Sequence, residues 1–295
     1  MGCIVVAEKQ IAVAGTAETR PIWLCADDYG ISISVNKAIR DLLVRGRINA
    51  TSVMVAAPHL NRSEAASLKM LVAGSHRIAI GLHVTLTAPF APMSTGFAPV
   101  RDGAFLPLKH MLMRGMLRAL DRSKLEVEIA TQFKAYATMF GRVPDFVDGH
   151  QHVHLFPQVR EALLDVVKDV APQAWVRQCG RAAMLRHRTT DRKALVLDAL
   201  SRKFRTLASA RGIRTNPAFA GTYNFDADPE TNFADLFPGF LKHLPPQSVV
   251  MCHPGFVDAE LERLDPLTGL REREYAYFID DAFPEVLREH GVRLS

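Results

Sequence analysis

The sequence predicts an α/β protein, an irregular (β/α) barrel of the TIM-barrel type. Three observations carry that expectation. Short apolar runs and longer amphipathic stretches alternate from Pro21 to the C-terminus, the pattern of parallel strands joined by helices. Residues able to do chemistry stand at the ends of separate apolar runs, at Asp27-Asp28, His83, His150 and His253, and a barrel gathers such strand ends at one mouth. No internal repeat and no linker divides the 295 residues, a length that one large α/β domain fills. Residues 21–295 are therefore expected to form one domain, behind a loosely ordered N-terminal extension over 1–20.

Taken in order, Ile22 to Ala26 is a buried strand that delivers two carboxylates, Asp27 and Asp28, into a turn at Tyr29-Gly30. Ser34 is the expected cap of a helix from Val35 to Arg45, with Gly46 as its stop. A strand follows at Ile48 to Val55, a short helix near Ser63 to Ala73, and a strand from Ile78 to Leu86 that contains His83. Pro89 to Leu108 reads as a long irregular loop, and such loops are usually covers or mobile segments. A long amphipathic helix runs from Lys124 to Phe140, stopped by Gly141 and Pro144.

The stretch Asp145 to Phe156 is the most informative. His150, His152 and His154 alternate with Gln151 and Val153, so an extended chain places all three imidazoles on one face. A helix would also pair His150 with His154. Phe146 and Val147 favour strand, Gly149 breaks helices, and Pro157 suits the first turn of a helix over Gln158 to Val170. Further on, Ala174 to Arg177 is a short strand, the basic region reads as helix up to Asn216-Pro217, and Gly221 to Phe225 is a strand or turn. A helix from Asn232 to His243 precedes the strand Ser248 to Cys252, which ends at His253. A last helix, Asp280 to Glu289, leads into Val292 to Leu294.

Composition bounds the rest. The chain is 48% hydrophobic and 23% charged, with a formal net charge of +5, an ordinary soluble balance. Much of the excess positive charge lies between Arg177 and Arg214. A solvated helix face is the favoured reading of that segment, with a surface for phosphate or an anionic sugar as the alternative. No aromatic residues interleave with these charges, so nucleic acid is not expected as a partner. The four cysteines, Cys3, Cys25, Cys179 and Cys252, form no C-x-x-C pair and fit a reducing compartment. No apolar run has the length of a membrane helix. The first residues carry Glu8 and Glu18 and lack the long apolar core of a secretory signal, so a cytoplasmic location is expected.

One carboxylate and two imidazoles make a common shell for a divalent metal. A second carboxylate beside the metal can take a proton from water, and a histidine across the pocket can protonate a leaving group. Asp27-Asp28 alone could be a capped turn, and a lone strand-end histidine is more often structural. Four such signals converging at one mouth argue for chemistry.

These residues carry a resemblance. Ala26 to Gly30 resembles the Asp-Asp-aromatic-Gly motif of the YdjC/ChbG family of carbohydrate deacetylases. Ile80 to Leu86 resembles that family's second motif, Asp148 to Pro157 its third, and Cys252 to Phe256 its last. The order and rough spacing match from Pro21 onward. The resemblance implies an irregular α/β barrel and hydrolysis of an N-acetyl group on an amino sugar or oligosaccharide. It implies a divalent metal, magnesium being the usual assignment and zinc the alternative, held by Asp28, His83 and His150. Asp27 then matches the catalytic base and His253 the general acid. His152, His154, Arg177 and Tyr29 are expected around the substrate or behind these residues, Arg177 either holding Asp27 or meeting substrate. Phe90, Phe97 and Tyr223 are candidates to stack on sugar rings. The expected partner is an N-acetylated sugar, and a homodimer is admitted. The chain departs from relatives in having Gln151 where they carry histidine. Two other readings remain. One is another metal-dependent barrel hydrolase, an amidohydrolase or phosphoesterase, although these place His-x-His on the first strand. The other is a non-catalytic sugar-binding relative.

Overall fold

The computed structural model describes residues 19–73, 78–182, 192–223, 232–266 and 268–295. Most of the expected N-terminal extension, Cys3, Arg186 and Arg188 lie outside these residues. The elements run β1 (Arg20–Tyr29), α1 (Ile33–Val44), β2 (Ala50–Val53), α2 (Arg62–Ala73), β3 (Ala79–Val84), a small hairpin of β4 (Val100–Arg101) and β5 (Ala104–Phe105), α3 (Leu108–Met116) and α4 (Arg122–Phe140). Then come β6 (Phe146–Gly149), a 3-10 helix over His150–Leu155, α5 (Val159–Val170), β7 (Trp175–Val176), α6 (Arg192–Ala210), β8 (Phe219–Ala220) and α7 (Phe233–Phe240). The chain closes with β9 (Ser248–Cys252), α8 (Ala259–Leu264), α9 (Gly269–Ile279), α10 (Phe283–Glu289) and β10 (Val292–Leu294).

The main sheet is parallel, in the order β7-β6-β3-β2-β1-β9-β8. β1 lies at its centre. On one side it pairs with β9 through Ile22–Ala26. On the other, β2 takes its second half from Cys25 and β10 its first half from Arg20 to Ile22. Every residue of β2, β3, β6 and β9 is buried, as expected for strands covered on both faces.

The sheet curls into a half-barrel, which corrects the expectation of a barrel. Its edge strands, β7 and β8, are two residues each, too short to build a ladder with one another. The segment before β8 spans the gap instead. Val176 and Thr215 form an isolated parallel bridge, and the Phe219 N–H donates to the Gly180 carbonyl at 3.0 Å.

Several local expectations shift for identifiable reasons. Ser32, not Ser34, caps α1 and accepts from the Val35 N–H. Gln158 holds the N-cap position of α5 without a side-chain hydrogen bond into it, so Pro157 stands outside that helix. The loop after β3 contains the β4–β5 hairpin and leads into α3, and α4 ties it down. The buried Glu128 carboxylate accepts from the Met93 and Ser94 N–H groups at 3.1 and 2.7 Å. Gln132 donates to the Thr85 carbonyl and accepts from the Thr85 N–H. Gly81 has no substitute, because a Cβ there would stand 2.4 Å from the Phe146 ring. That ring is in turn stacked on Trp175, with centroids 4.6 Å apart.

Candidate active site

The site forms where β1, β3, β6 and β9 end. β1 would send Asp27 and Asp28 to opposite faces if it stayed regular. It does not: Asp28 has φ 70°, and the β1–β2 register gains one residue on β1 between Ala26 and Tyr29. This bulge re-aims the chain, and both carboxylates line one cavity of about 330 Å³ together with His83, His150, His152, Tyr223 and His253. Tyr29 turns away from it. Its hydroxyl meets the Glu64 carbonyl and Arg40, so the tyrosine ties β1 to the two helices packed outside it.

The histidine stretch is not a strand, which corrects the reading of a shared face. β6 stops at Gly149, and Gln151 and His152 take left-handed backbone angles, φ 54° and 58°. The three imidazoles therefore part company. His150 Nδ1 lies 3.1 Å from Asp28 Oδ1, and the Phe90 ring meets the His150 imidazole edge-on at 5.5 Å. His152 lines the cavity and approaches Cys179 Sγ at 3.5 Å. His154 is buried behind the site and donates from Nε2 to the Arg177 carbonyl at 2.9 Å. Gly149 makes room for it, since a Cβ there would meet His154 Cβ and Nδ1 at 3.1 Å. Burial lowers the pKa of His152 to about 3, aided by the Arg177 charge. Burial also drives His154 well below the usual range. Both are neutral at pH 7.

Asp28, His83 and His150 present one donor atom each, all within 4.8 Å of one another. His83 Nε2 is 3.4 Å from Asp28 Oδ1, while its Nδ1 donates to Asp148 Oδ1 at 2.6 Å. That carboxylate fixes the imidazole tautomer with Nε2 facing Asp28, the usual support of a metal-binding histidine. The charge balance also suits a cation. Buried Asp27, Asp28, Asp148 and Asp265 face two buried guanidiniums, Arg177 and Arg271. With His83 neutral, as a metal ligand must be, four formal negative charges against two guanidiniums leave two uncompensated. His83 is pulled both ways: burial lowers its pKa, but Asp148, Asp28 and Asp27 outweigh burial and raise it to about 10. The residues present therefore fit a divalent ion. A second acidic group, Cys25, Asp27 and Asp148, is already served by Arg177.

Arg177 holds Asp27 with both arms, at 2.6 and 2.7 Å, and reaches Asp148 Oδ2 at 2.6 Å. Ser52 Oγ adds a donor to Asp27 at 2.9 Å. Burial alone would raise the Asp27 pKa, but Arg177 and His83 outweigh it and keep the carboxyl well below the usual range. Asp28 shows the same contest, won by Arg271 and the two histidines. Half-buried His253 lines the cavity, and its backbone N–H donates to the Glu274 carboxylate. Glu274 also accepts from the Tyr223 hydroxyl at 2.5 Å. Phe90 is buried, and Phe97 packs on Phe105. Of the three candidate stacking aromatics, Tyr223 lines the cavity.

Four charged residues at or behind the site went unassigned in the sequence: Asp148, Asp265, Arg271 and Glu274. Asp148 had a signal, a carboxylate inside an apolar strand two residues before His150. The other three lie in a charged stretch, Asp265 to Glu274, whose pattern resembles a solvated surface.

Comparison with known proteins places this architecture. The family model for YdjC-like protein matches residues 21–289. A chitooligosaccharide deacetylase of Yersinia pestis (strain Pestoides F) is 25% identical over 240 residues, covering 80% of this chain and 82% of its own. In structure, the chain is similar to a candidate cellobiose-phosphate cleavage protein from Enterococcus faecalis V583. That match has TM-score 0.70 and 19% identity, over 94% of this chain and 97% of the other. A lactam utilization protein from Thermus thermophilus matches with TM-score 0.51 and 14% identity, over 93% and 98%. The two structural matches concern the fold alone. The family model spans nearly all of the half-barrel and every strand that supplies the cavity, and the chain belongs to the YdjC-like protein family.

Proposed function

We propose that residues 21–295 form a metal-dependent carbohydrate N-deacetylase. It would hydrolyse an N-acetyl group of an amino sugar or oligosaccharide to acetate and a free amine. The observation that carries this reading is the meeting of Asp28, His83 and His150 with Asp27 and His253 in one cavity. The similarity to a chitooligosaccharide deacetylase of Yersinia pestis supports the substrate class.

Asp28, His83 and His150 would hold the metal. Bound there, a divalent ion would polarise the acetamide carbonyl and acidify a water. Two imidazoles and one carboxylate suit zinc or a similar transition ion at least as well as magnesium, which favours oxygen ligands. Asp27 is kept ionised by Arg177 and stands beside these donors, so it accepts the proton of the attacking water. His253 comes from a different strand end and protonates the departing nitrogen, because an amide anion is too basic to leave unaided. Tyr223, fixed through its hydroxyl on Glu274, offers its ring as a wall for the sugar. Neutral His152 lines the same wall and can donate or accept a hydrogen bond at a sugar hydroxyl. Arg177, His154 and Tyr29 act from behind, by holding Asp27, the Arg177 backbone and β1 respectively.

The test is acetate release from a panel of N-acetylated mono- and oligosaccharides, with magnesium, with zinc, and after chelation. The expected result is acetate and amine in equal amounts, lost on chelation and restored by metal. Metal-replete folded protein that releases no acetate from any N-acetylated sugar overturns the reading. Phosphate release from a sugar phosphate would favour the phosphoesterase reading instead.

A further inference from the structure

Arg271 lies on α9, in the charged stretch whose pattern resembles a surface. It is fully buried. Its NH2 group stands 2.6 Å from Asp28 Oδ2 and 2.6 Å from Asp265 Oδ2. Asp28 thus has its two oxygens divided. Oδ1 faces His150 at 3.1 Å and His83 at 3.4 Å, and Oδ2 faces the guanidinium. The helix is anchored to the same mouth, because the Arg271 carbonyl accepts from the Gly255 N–H at 3.0 Å, two residues after His253.

A buried guanidinium beside a metal-ligand carboxylate is at first sight adverse. It repels a cation and competes for the carboxylate. Its geometry suggests a compensating role. A carboxylate with both oxygens free can swing between one-oxygen and two-oxygen binding, and Asp28 sits at a left-handed position that no neighbouring strand holds in register. We propose that Arg271 is a positioning residue that occupies Asp28 Oδ2 and so presents Oδ1 alone to the metal, at a fixed angle to His83 and His150. Asp265 holds the guanidinium in turn. This inference rests on the metal reading given above.

The positioning role and a purely electrostatic one predict opposite signs. Arg271→Met removes a positive charge next to the site. If charge alone mattered, divalent cations would bind more tightly. If Arg271 positions Asp28, they bind more weakly, by about tenfold to a hundredfold, the usual cost of removing a group that orients a ligand. Calorimetric titration of the metal-free proteins with zinc and manganese reads this directly, with no substrate present. Wild type, His83→Ala, Arg271→Lys and Arg271→Met are compared, with melting curves as a control for folding. Arg271→Lys keeps the charge but loses the planar fork, and it should bind with intermediate affinity. It also carries the test if Arg271→Met fails to fold, since an electrostatic role predicts no change for lysine. Binding in wild type that His83→Ala abolishes, with unchanged or tighter binding in the Arg271 variants, overturns the inference and leaves the metal reading intact. Binding in wild type that is indifferent to His83→Ala overturns both.

Discussion

Arg177→Met is the sharpest test of how the site is held together. The side chain is 1% exposed and ion-pairs with two carboxylates that are as deeply buried, Asp27 and Asp148. Removing one partner of a buried pair leaves uncompensated charge, which costs about 3–5 kcal/mol. For a protein of this size, each kcal/mol lowers Tm by about 2–4 °C. Differential scanning calorimetry at pH 7 should therefore show a fall of about 6–20 °C. The pH dependence has a definite sign. In the wild type the Asp27 carboxyl is held below its ordinary value, so its contribution is complete above about pH 3.9 and is lost as pH falls further. In the variant, burial, the strongest influence on Asp27, is opposed by His83 and His253 but no longer by Arg177, so the folded-state pKa is expected to rise above the unfolded one. The variant then gains relative stability as the pH falls and this carboxyl is neutralised. The gap between the two proteins should narrow from about pH 7 toward about pH 4. A loss below about 2 °C at pH 7, or a gap that widens in acid, would refute the argument.

Three further outcomes follow from the same geometry. Asp27→Asn should keep metal affinity and lose about a hundredfold to ten-thousandfold in turnover, whereas Asp28→Asn should weaken the metal; equal metal loss in both, measured by metal content, removes the division of labour. His253→Ala should lose much of its rate on an acetylated amino sugar and far less on an acetate ester, whose leaving group needs less help. Equal losses on both substrates with normal metal content would make His253 a supporting residue rather than the acid. Gly149→Ala puts a methyl group 3.1 Å from the His154 ring and should cost about 1–3 kcal/mol by overpacking, read as a shift in the denaturant midpoint; wild-type stability would mean that His154 moves freely.

Periodicity revealed the alternation of strands and helices, because buried parallel strands are apolar on both faces and their helices on one. It could not reveal closure. Whether β7 and β8 meet depends on the lengths of their ladders, and each contributes two residues. The motif residues at Asp27, Asp28, His83, His150 and His253 were legible because polar groups at the ends of apolar runs stand out. The conformation between His150 and His154 was not. Alternation of residue types argues for an extended chain, yet Gln151 and His152 take left-handed angles and His154 comes close against Gly149, contacts that residue types alone do not encode. Arg271 and Glu274 were hidden for the opposite reason. They are charged residues among other charges, and only the tertiary fold brings that side of α9 against Asp28 and His253.

The position of β1 has a consequence for how the chain is made. This strand leaves the ribosome early, yet one of its edges waits for β9 and half of the other for β10. Between Tyr29 and Ser248, where β9 begins, the ribosome adds some 220 residues, which at about 5–20 residues per second takes roughly 10 to 45 s. Throughout that interval an apolar strand with open hydrogen-bonding edges, carrying Asp27 and Asp28, has no native neighbour beyond β2. A nascent chain stalled before Ser248 should therefore bind chaperones through this segment, and should release them only when the last strands arrive.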